Sequence, residues 1–194
     1  MPPELLLASA SPRRTALLTQ IGIRHQIKAV DIDESPLASE LPAQQVVRLA
    51  QQKASTAFNL LSEEDKTKTV VLASDTLIEL DNVSLGKPAN QEECIAMLTA
   101  LSGREHQVLT AICVCSASVT KSQCINTKVQ FAHLTLTEMV TYWQSGEPAD
   151  KAGSYAIQGI GGQFVKSVNG SVSAVIGLPL YETKQLLKEF GVTP

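Results

Sequence analysis

Six side chains suited to holding a charged substrate stand between positions 13 and 87 of this chain: the cations Arg13, Arg14, Lys53 and Lys87, and the carboxylates Glu34 and Asp75. The run Ser9-Ala10-Ser11-Pro12-Arg13-Arg14 predicts a strand leading into a helix whose first turn carries both guanidinium groups. A helix N-terminus already holds partial positive charge, so two arginines there oppose its dipole. Two readings are open. Either an anion, phosphate being the natural one, is held by free backbone N–H groups, the Ser9 and Ser11 hydroxyls and a guanidinium fork. Or Ser11 caps the helix, Pro12 starts it, and both arginines point to water.

Lys53 lies one turn after Leu49 and Ala50 and one turn before Ala57, on the apolar stripe of its predicted helix. A cation so placed either meets an acidic partner or snorkels to the surface. Asp75 follows the apolar run Thr69–Ala73, where open α/β sheets collect ligand-binding residues and where ordinary turns also carry acids. Glu34, close after Asp31 and Asp33, offers hard oxygen ligands suited to Mg²⁺ or Mn²⁺, or simply belongs to an acidic exposed loop. Gly86-Lys87-Pro88 lacks the upstream glycine and the following Ser or Thr of a Walker motif, yet Lys87 alone can reach a phosphate. Cations offset the charge of a phosphate chain, a divalent ion bridges its oxygens, and a carboxylate orients or deprotonates an attacking water. These groups equip a protein for a polyphosphate and its metal, provided the fold brings them to one cleft.

The elements that position them are read from periodicity and turn residues. Leu5–Ala8 is short and wholly apolar, and Thr69–Ala73 reads as another buried strand, as strands covered on both faces do. The second runs into Ser74-Asp75-Thr76, and Asp81-Asn82 turns it back after Leu80. Helices are predicted over Pro12–Ile21, ended by Gly22, over Pro42–Leu60, Asn90–Leu101 and Thr137–Ser145, and from Leu178 to Phe190. Gln26–Val30, Val108–Val119 and Asn126–Leu134 read as strands, the last two paired, and Asn169-Gly170 as a hairpin turn. Strands interleaved with helices make the fold α/β, or mixed α+β: a twisted mixed sheet flanked by helices.

The chain has 194 residues, enough for one domain, read as 1–194, with a real core. Sixteen Lys and Arg against nineteen Asp and Glu leave a net charge of −3, which argues against a protein that tracks nucleic-acid backbone. One Trp, three Tyr and four Phe offer few platforms for stacking bases. No apolar run approaches the roughly eighteen residues of a membrane span. Glu4 precedes the Leu5–Ala8 run, so the first nine residues lack the basic start of a secretory leader, and a cytoplasmic location is expected. The four cysteines form no C-x-x-C pair and the three histidines are scattered, which predicts reduced thiols and no structural metal. Cys113 and Cys115 share one side of their strand as packing groups, His106 takes a structural hydrogen bond, and Trp143 packs its short helix.

These motifs, in order along nearly the whole chain, resemble the Maf family of nucleotide pyrophosphatases, related in fold to inosine triphosphate pyrophosphatase. Besides the runs quoted above, Asp33-Glu34, Arg48-Leu49-Ala50 before Lys53, Leu101-Ser102-Gly103, Lys151-Ala152-Gly153 and Gly177-Leu178-Pro179 carry the likeness. The resemblance implies two lobes around a central cleft, a homodimer, and a house-cleaning hydrolase that requires a divalent cation, Mg²⁺ or Mn²⁺. It implies cleavage of a nucleoside triphosphate between its α and β phosphates. Asp75 would accept the proton of water or ligate metal, Glu34 would help hold the metal, and Ser9, Arg14, Lys53 and Lys87 would hold phosphate oxygens. Arg13, Thr76 and Gln158 resemble the set in members that take dTTP and UTP; members acting on 7-methyl-GTP have Trp, Gln and Glu there. A glutamine amide accepts from uracil N3–H and donates to O4, whereas a glutamate only accepts and suits a guanine edge. A tryptophan face attracts a methylated, cationic base and Arg13 repels it. The reading from another class is a nucleotide-sensing regulatory protein of cell division, which would need the anion cradle and neither Asp75 nor Glu34.

Overall fold

The computed structural model describes residues 3–194; Met1 and Pro2, part of the N-terminal stretch read above, lie outside them. Strand β1 (Glu4–Leu7) pairs in parallel with the two-residue β2 (Gln26–Ile27) on one side and β3 (Thr69–Leu80) on the other. From β3 onward the pairing is antiparallel, through β5 (Glu105–Cys115), β6 (Thr120–Phe131) and β7 (Val165–Asn169), while β4 (Val83–Leu85) folds back on the end of β3. The result is a mixed seven-stranded sheet in the order β2-β1-β3-β5-β6-β7. Among the described residues seven α-helices accompany it: α1 (Pro12–Gln20), α2 (Pro42–Asn59), the single turn α3 (Glu63–Lys66), α4 (Gln91–Leu101), α5 (Leu136–Gln144), α6 (Val172–Ile176) and α7 (Leu180–Glu189). The mixed α/β class expected from the sequence is thus the class observed.

Side-chain alternation along β1 and β3 sorts the first half of the sheet into two cores. Leu5, Leu7, Val70 and Leu72 pack with Leu17 and Leu18 of α1 and Leu187 of α7. Leu6, Val71 and Ala73, with Cys113 and Cys115, pack against Val46, Ala50, Ala54 and Ala57 of α2. A third core gathers the far ends of β3, β5 and β6 with α4 and α5, through Ile78, Leu98, Val108, Phe131 and Tyr142. The long strands β3 and β5 contribute to all three cores. On the open side of β3, β1 stops opposite Leu72 and β4 begins only opposite Ile78. The stretch between them, Ala73–Leu77, has a neighbour on one side only, and there the cleft opens.

Leu77–Leu80 continues β3 straight through Asp75, with the expected turn at Asp81-Asn82, while other boundaries differ from the sequence reading. Asp81 and Asn82 have φ of 55° and 63°, the left-handed pair that a two-residue hairpin needs and that Asp and Asn tolerate best. Strand β6 starts at Thr120, six residues before its predicted start at Asn126; its first part is exposed and polar, so no apolar periodicity announced it. Asn169-Gly170 is not a hairpin: β7 ends there, and the chain enters α6, capped by Ser171 Oγ accepting from the Ala174 N–H at 3.2 Å. Five residues are too short to show a helical period.

Candidate active site

Parity on β3 decides which residues meet. Asp75 shares a face with Val71 and Ala73 and so looks toward α2, whereas Ser74 and Thr76 look toward α1 and α6. On α2, Gln45, Leu49 and Lys53 stand at successive intervals of four on the buried stripe. Lys53 Nζ donates to Asp75 Oδ1 at 2.6 Å and lies 2.6 Å from Glu34 Oε1. Lys53 and Asp75 are buried, and the Glu34 carboxylate is half exposed. The lysine therefore takes the acidic partner that its helix position requires rather than snorkelling.

The opposite wall is built by α1. The Ser11 hydroxyl does not cap the helix; its backbone N–H donates to Ser9 Oγ at 3.2 Å. Arg14 turns inward, donating from Nη1 to Ser9 Oγ at 3.1 Å and from Nε to the Gly177 carbonyl at 2.9 Å, a carbonyl that also accepts from Ser74 Oγ at 3.0 Å. Thr76 Oγ1 is 3.1 Å from Thr110 Oγ1, which donates to the Ala174 carbonyl at 2.8 Å. One cleft of about 750 Å³ is lined by Ser9, Arg13, Arg14, Glu34, Lys53, Asp75, Thr76, Lys87 and Gln158. The nine residues given catalytic, phosphate-binding, metal-binding or base-reading roles thus reach a single cavity, although they come from points as distant as positions 9 and 158.

Three contributors escaped the sequence reading. Gln45 is buried and donates from Nε2 to the Glu34 carbonyl at 3.3 Å, fixing the acidic loop; its spacing of eight from Lys53 marked the same stripe. Lys151 lines the cleft and is ion-paired with Asp150, and the Gly177 carbonyl anchors Arg14. Both stand in motifs quoted for the family likeness, but no role was assigned to either.

The two carboxylates are pushed apart in acidity. Burial raises the Asp75 pKa, and the attraction of Lys53 and Arg14 only partly offsets it. Burial also acts upward on Glu34, but the Lys53 hydrogen bond and the charges of Lys53, Lys87 and Arg14 outweigh it and leave Glu34 below its ordinary value. Paired acids split in this way are a common arrangement for assigning one as base. Among the described residues no three acids, histidines or cysteines cluster as a free-standing metal site. Two carboxylates sharing one ammonium suit a cation such as Mg²⁺, which takes one or two carboxylates together with substrate phosphate oxygens. The donor set therefore fits a metal that arrives with a phosphate chain.

Fold and cleft define a mixed α/β protein with an acidic, lysine-bridged floor and a cationic rim, the equipment of a polyphosphate-handling enzyme. Residues 4–190 match the family described as Maf-like protein, and the chain belongs to it. It is 53% identical to the dTTP/UTP pyrophosphatase of Colwellia psychrerythraea, over 97% of this chain and 89% of that one. It is 51% identical to the dTTP/UTP pyrophosphatase of Pseudoalteromonas translucida, over 95% of both chains. The likeness to the protein of the same name from Vibrio vulnificus is 50%, over 96% of this chain and 98% of that one. The solved structure of the Staphylococcus aureus Ham1 protein overlaps 66% of this chain and 72% of that one at 14% identity with a TM-score of 0.42, too low a likeness to bear on fold or function. No described helix is long and apolar enough to cross a membrane.

Proposed function

We propose that this protein hydrolyses the anhydride between the α and β phosphates of dTTP and UTP, releasing the nucleoside monophosphate and pyrophosphate in a house-cleaning role. The observation that carries the reading is the meeting of Lys53, Asp75 and Glu34 at the floor of a cleft whose opposite wall is Ser9 and Arg14. Arg14, held by Ser9 and Gly177, and the exposed Lys87 oppose the charge of the phosphate chain from two sides. Asp75, kept dry and raised in pKa, orients the attacking water or takes its proton. A bound Mg²⁺ or Mn²⁺, held by Glu34 and Asp75, would supply Lewis acidity toward the phosphate oxygens. Lys53 then serves as the internal cation that holds both carboxylates in place before substrate arrives. Arg13, Thr76 and Gln158, which line the same cleft, face the nucleoside, and the Gln158 amide pairs with the uracil or thymine edge. A homodimer, which rests on family resemblance alone, and a cytoplasmic location belong to the same proposal.

The test is a panel of dTTP, UTP, CTP and 7-methyl-GTP with Mg²⁺ or Mn²⁺, with both phosphate products identified. Pyrophosphate and the monophosphate are expected, and orthophosphate with the diphosphate would contradict the proposed bond. Asp75→Asn keeps the shape and removes the charge; it should lower kcat by about 10²-fold or more while nucleotide binding persists. Micromolar binding with no turnover by the unaltered protein would favour the nucleotide-sensing alternative.

A further inference from the structure

The segment Tyr155–Gly162 forms one wall of the cleft through Tyr155, Ala156, Ile157 and Gln158. Gln158 itself is exposed, so its aim depends on the backbone that carries it. That backbone is tied from behind, on the side away from the cleft, to two side chains outside the segment. Tyr142, at the end of α5, accepts from the Ala156 N–H at 3.2 Å and donates its own hydroxyl proton to Glu147 Oε1 at 2.7 Å. The same Glu147 Oε1 accepts from the Gly161 N–H at 2.9 Å, and Oε2 accepts from the Ile160 N–H, also at 2.9 Å. The anchors fall two residues before Gln158 and two and three residues after it.

The glycines show how close this approach is. A Cβ on Gly159 would lie 2.1 Å from Glu147 Oε2, and one on Gly161 would lie 2.5 Å from the Tyr142 hydroxyl. Burial raises the Tyr142 pKa, with the Glu147 charge adding to it. For Glu147 burial acts in the same direction, but the Tyr142 hydroxyl and the two backbone donors outweigh it and hold the carboxylate below its ordinary range. The pair is therefore a phenol and a carboxylate ion, and the carboxylate accepts three hydrogen bonds. An ionised acceptor makes stronger hydrogen bonds than a neutral one, which suits it to fixing a glycine-rich loop whose free backbone would otherwise be entropically costly to order.

We infer that Glu147 and Tyr142 are positioning residues for nucleobase selection: by clamping the backbone on both sides of Gln158 they fix where its amide meets the base. This inference rests on the proposed base-reading role of Gln158. It differs from a general structural role in what it predicts, because loosening the loop should blunt discrimination between bases and leave the phosphate end of the cleft unchanged.

The experiment measures kcat/KM for UTP and for 7-methyl-GTP in Glu147→Gln and Tyr142→Phe, each made alone and in a Gln158→Ala background. Gln158→Ala alone should lower the UTP to 7-methyl-GTP ratio. In the otherwise unaltered protein each clamp variant should lower that ratio about fivefold or more, mainly through KM for UTP. With Gln158 already removed, the same changes should move the ratio less than twofold, since residues acting through one group are not additive. Equal losses for both nucleotides, or the same loss of ratio with and without Gln158, would reduce the clamp to a stability element and overturn the inference. If Gln158→Ala leaves the ratio unchanged, the base-reading role itself fails and the clamp's part in selection fails with it. Tyr142→Phe removes one hydroxyl only, so the test survives if Glu147→Gln does not fold.

Discussion

Lys53 is the residue on which the chemistry of the cleft turns. It stands on the buried stripe of α2, where an unpaired ammonium is expensive, and two carboxylates 2.6 Å away compensate it. Its charge and hydrogen bond in turn oppose the rise that burial imposes on Asp75. Removing that charge must therefore send the Asp75 pKa further up. If Asp75 works as its carboxylate, activity is present above its pKa and is lost as pH falls through it, and kcat/KM reports the free enzyme. The acidic limb of kcat/KM for dTTP should lie above the ordinary aspartate range and should move to still higher pH in Lys53→Met, whatever happens to the plateau. A limb that stays in place would remove Asp75 from the titration. The residue scale also shows what sequence could reveal: helical spacing marked Lys53 as a buried cation wanting an acid, but not which acid, because Glu34 and Asp75 reach it from a loop and a strand.

Among the elements, α2 and β3 form the decisive pair. Ala50, Ala54 and Ala57 are completely buried where α2 lies on the sheet, and small side chains at that interface let the helix approach closely enough for Lys53 to reach Asp75. Ala54→Leu should overpack the contact and cost about 1–3 kcal/mol, read as a lower urea midpoint. Because it pushes Lys53 away from the sheet, it should also lower turnover. Ser55→Ala, on the exposed side, should stay within about 0.5 kcal/mol. Element existence was legible here because α2 is long and its stripe regular, and because the apolar run of β3 is bounded by polar turns. The start of β6 and the whole of α6 were not legible, the first lying on a solvent-facing edge and the second spanning too few residues for a period to appear.

At the scale of the whole molecule the cleft depends on its walls holding their distance across the strands that join the three cores. Gly153 joins two of its walls: its N–H donates to the Gly86 carbonyl at 2.9 Å, its φ is +63°, and a Cβ there would lie 2.6 Å from Ile78 Cδ1. This glycine ties the loop of Lys87 to the loop of Lys151. Gly153→Ala should cost about 1–2 kcal/mol for the left-handed backbone alone, with overpacking in addition. It should also raise KM for the nucleotide as Lys87 is displaced, measurable by thermal unfolding and by kinetics on one preparation. A ligand that binds in the cleft stabilises the native state by mass action. Asp75→Asn mixed with dTTP and Mg²⁺ at one hundred times Kd should therefore gain about 2.7 kcal/mol, and a Tm unmoved by nucleotide would mean that the native protein does not bind it.

The longer strands and helices, the buried stripe carrying Lys53, the acid after an apolar run and the odd placement of two arginines at a helix start were settled by local periodicity and charge, which are properties of neighbours in the chain. Convergence was decided by the tertiary structure alone. It is the parity of β3 that turns Asp75 toward α2 and Thr76 toward α6, and the unpaired edge between β1 and β4 that leaves room for a substrate. Gly177, far along the chain from Arg14, supplies the carbonyl that holds its guanidinium. Such pairings join residues up to 163 positions apart, and no spacing rule in a sequence reaches that far.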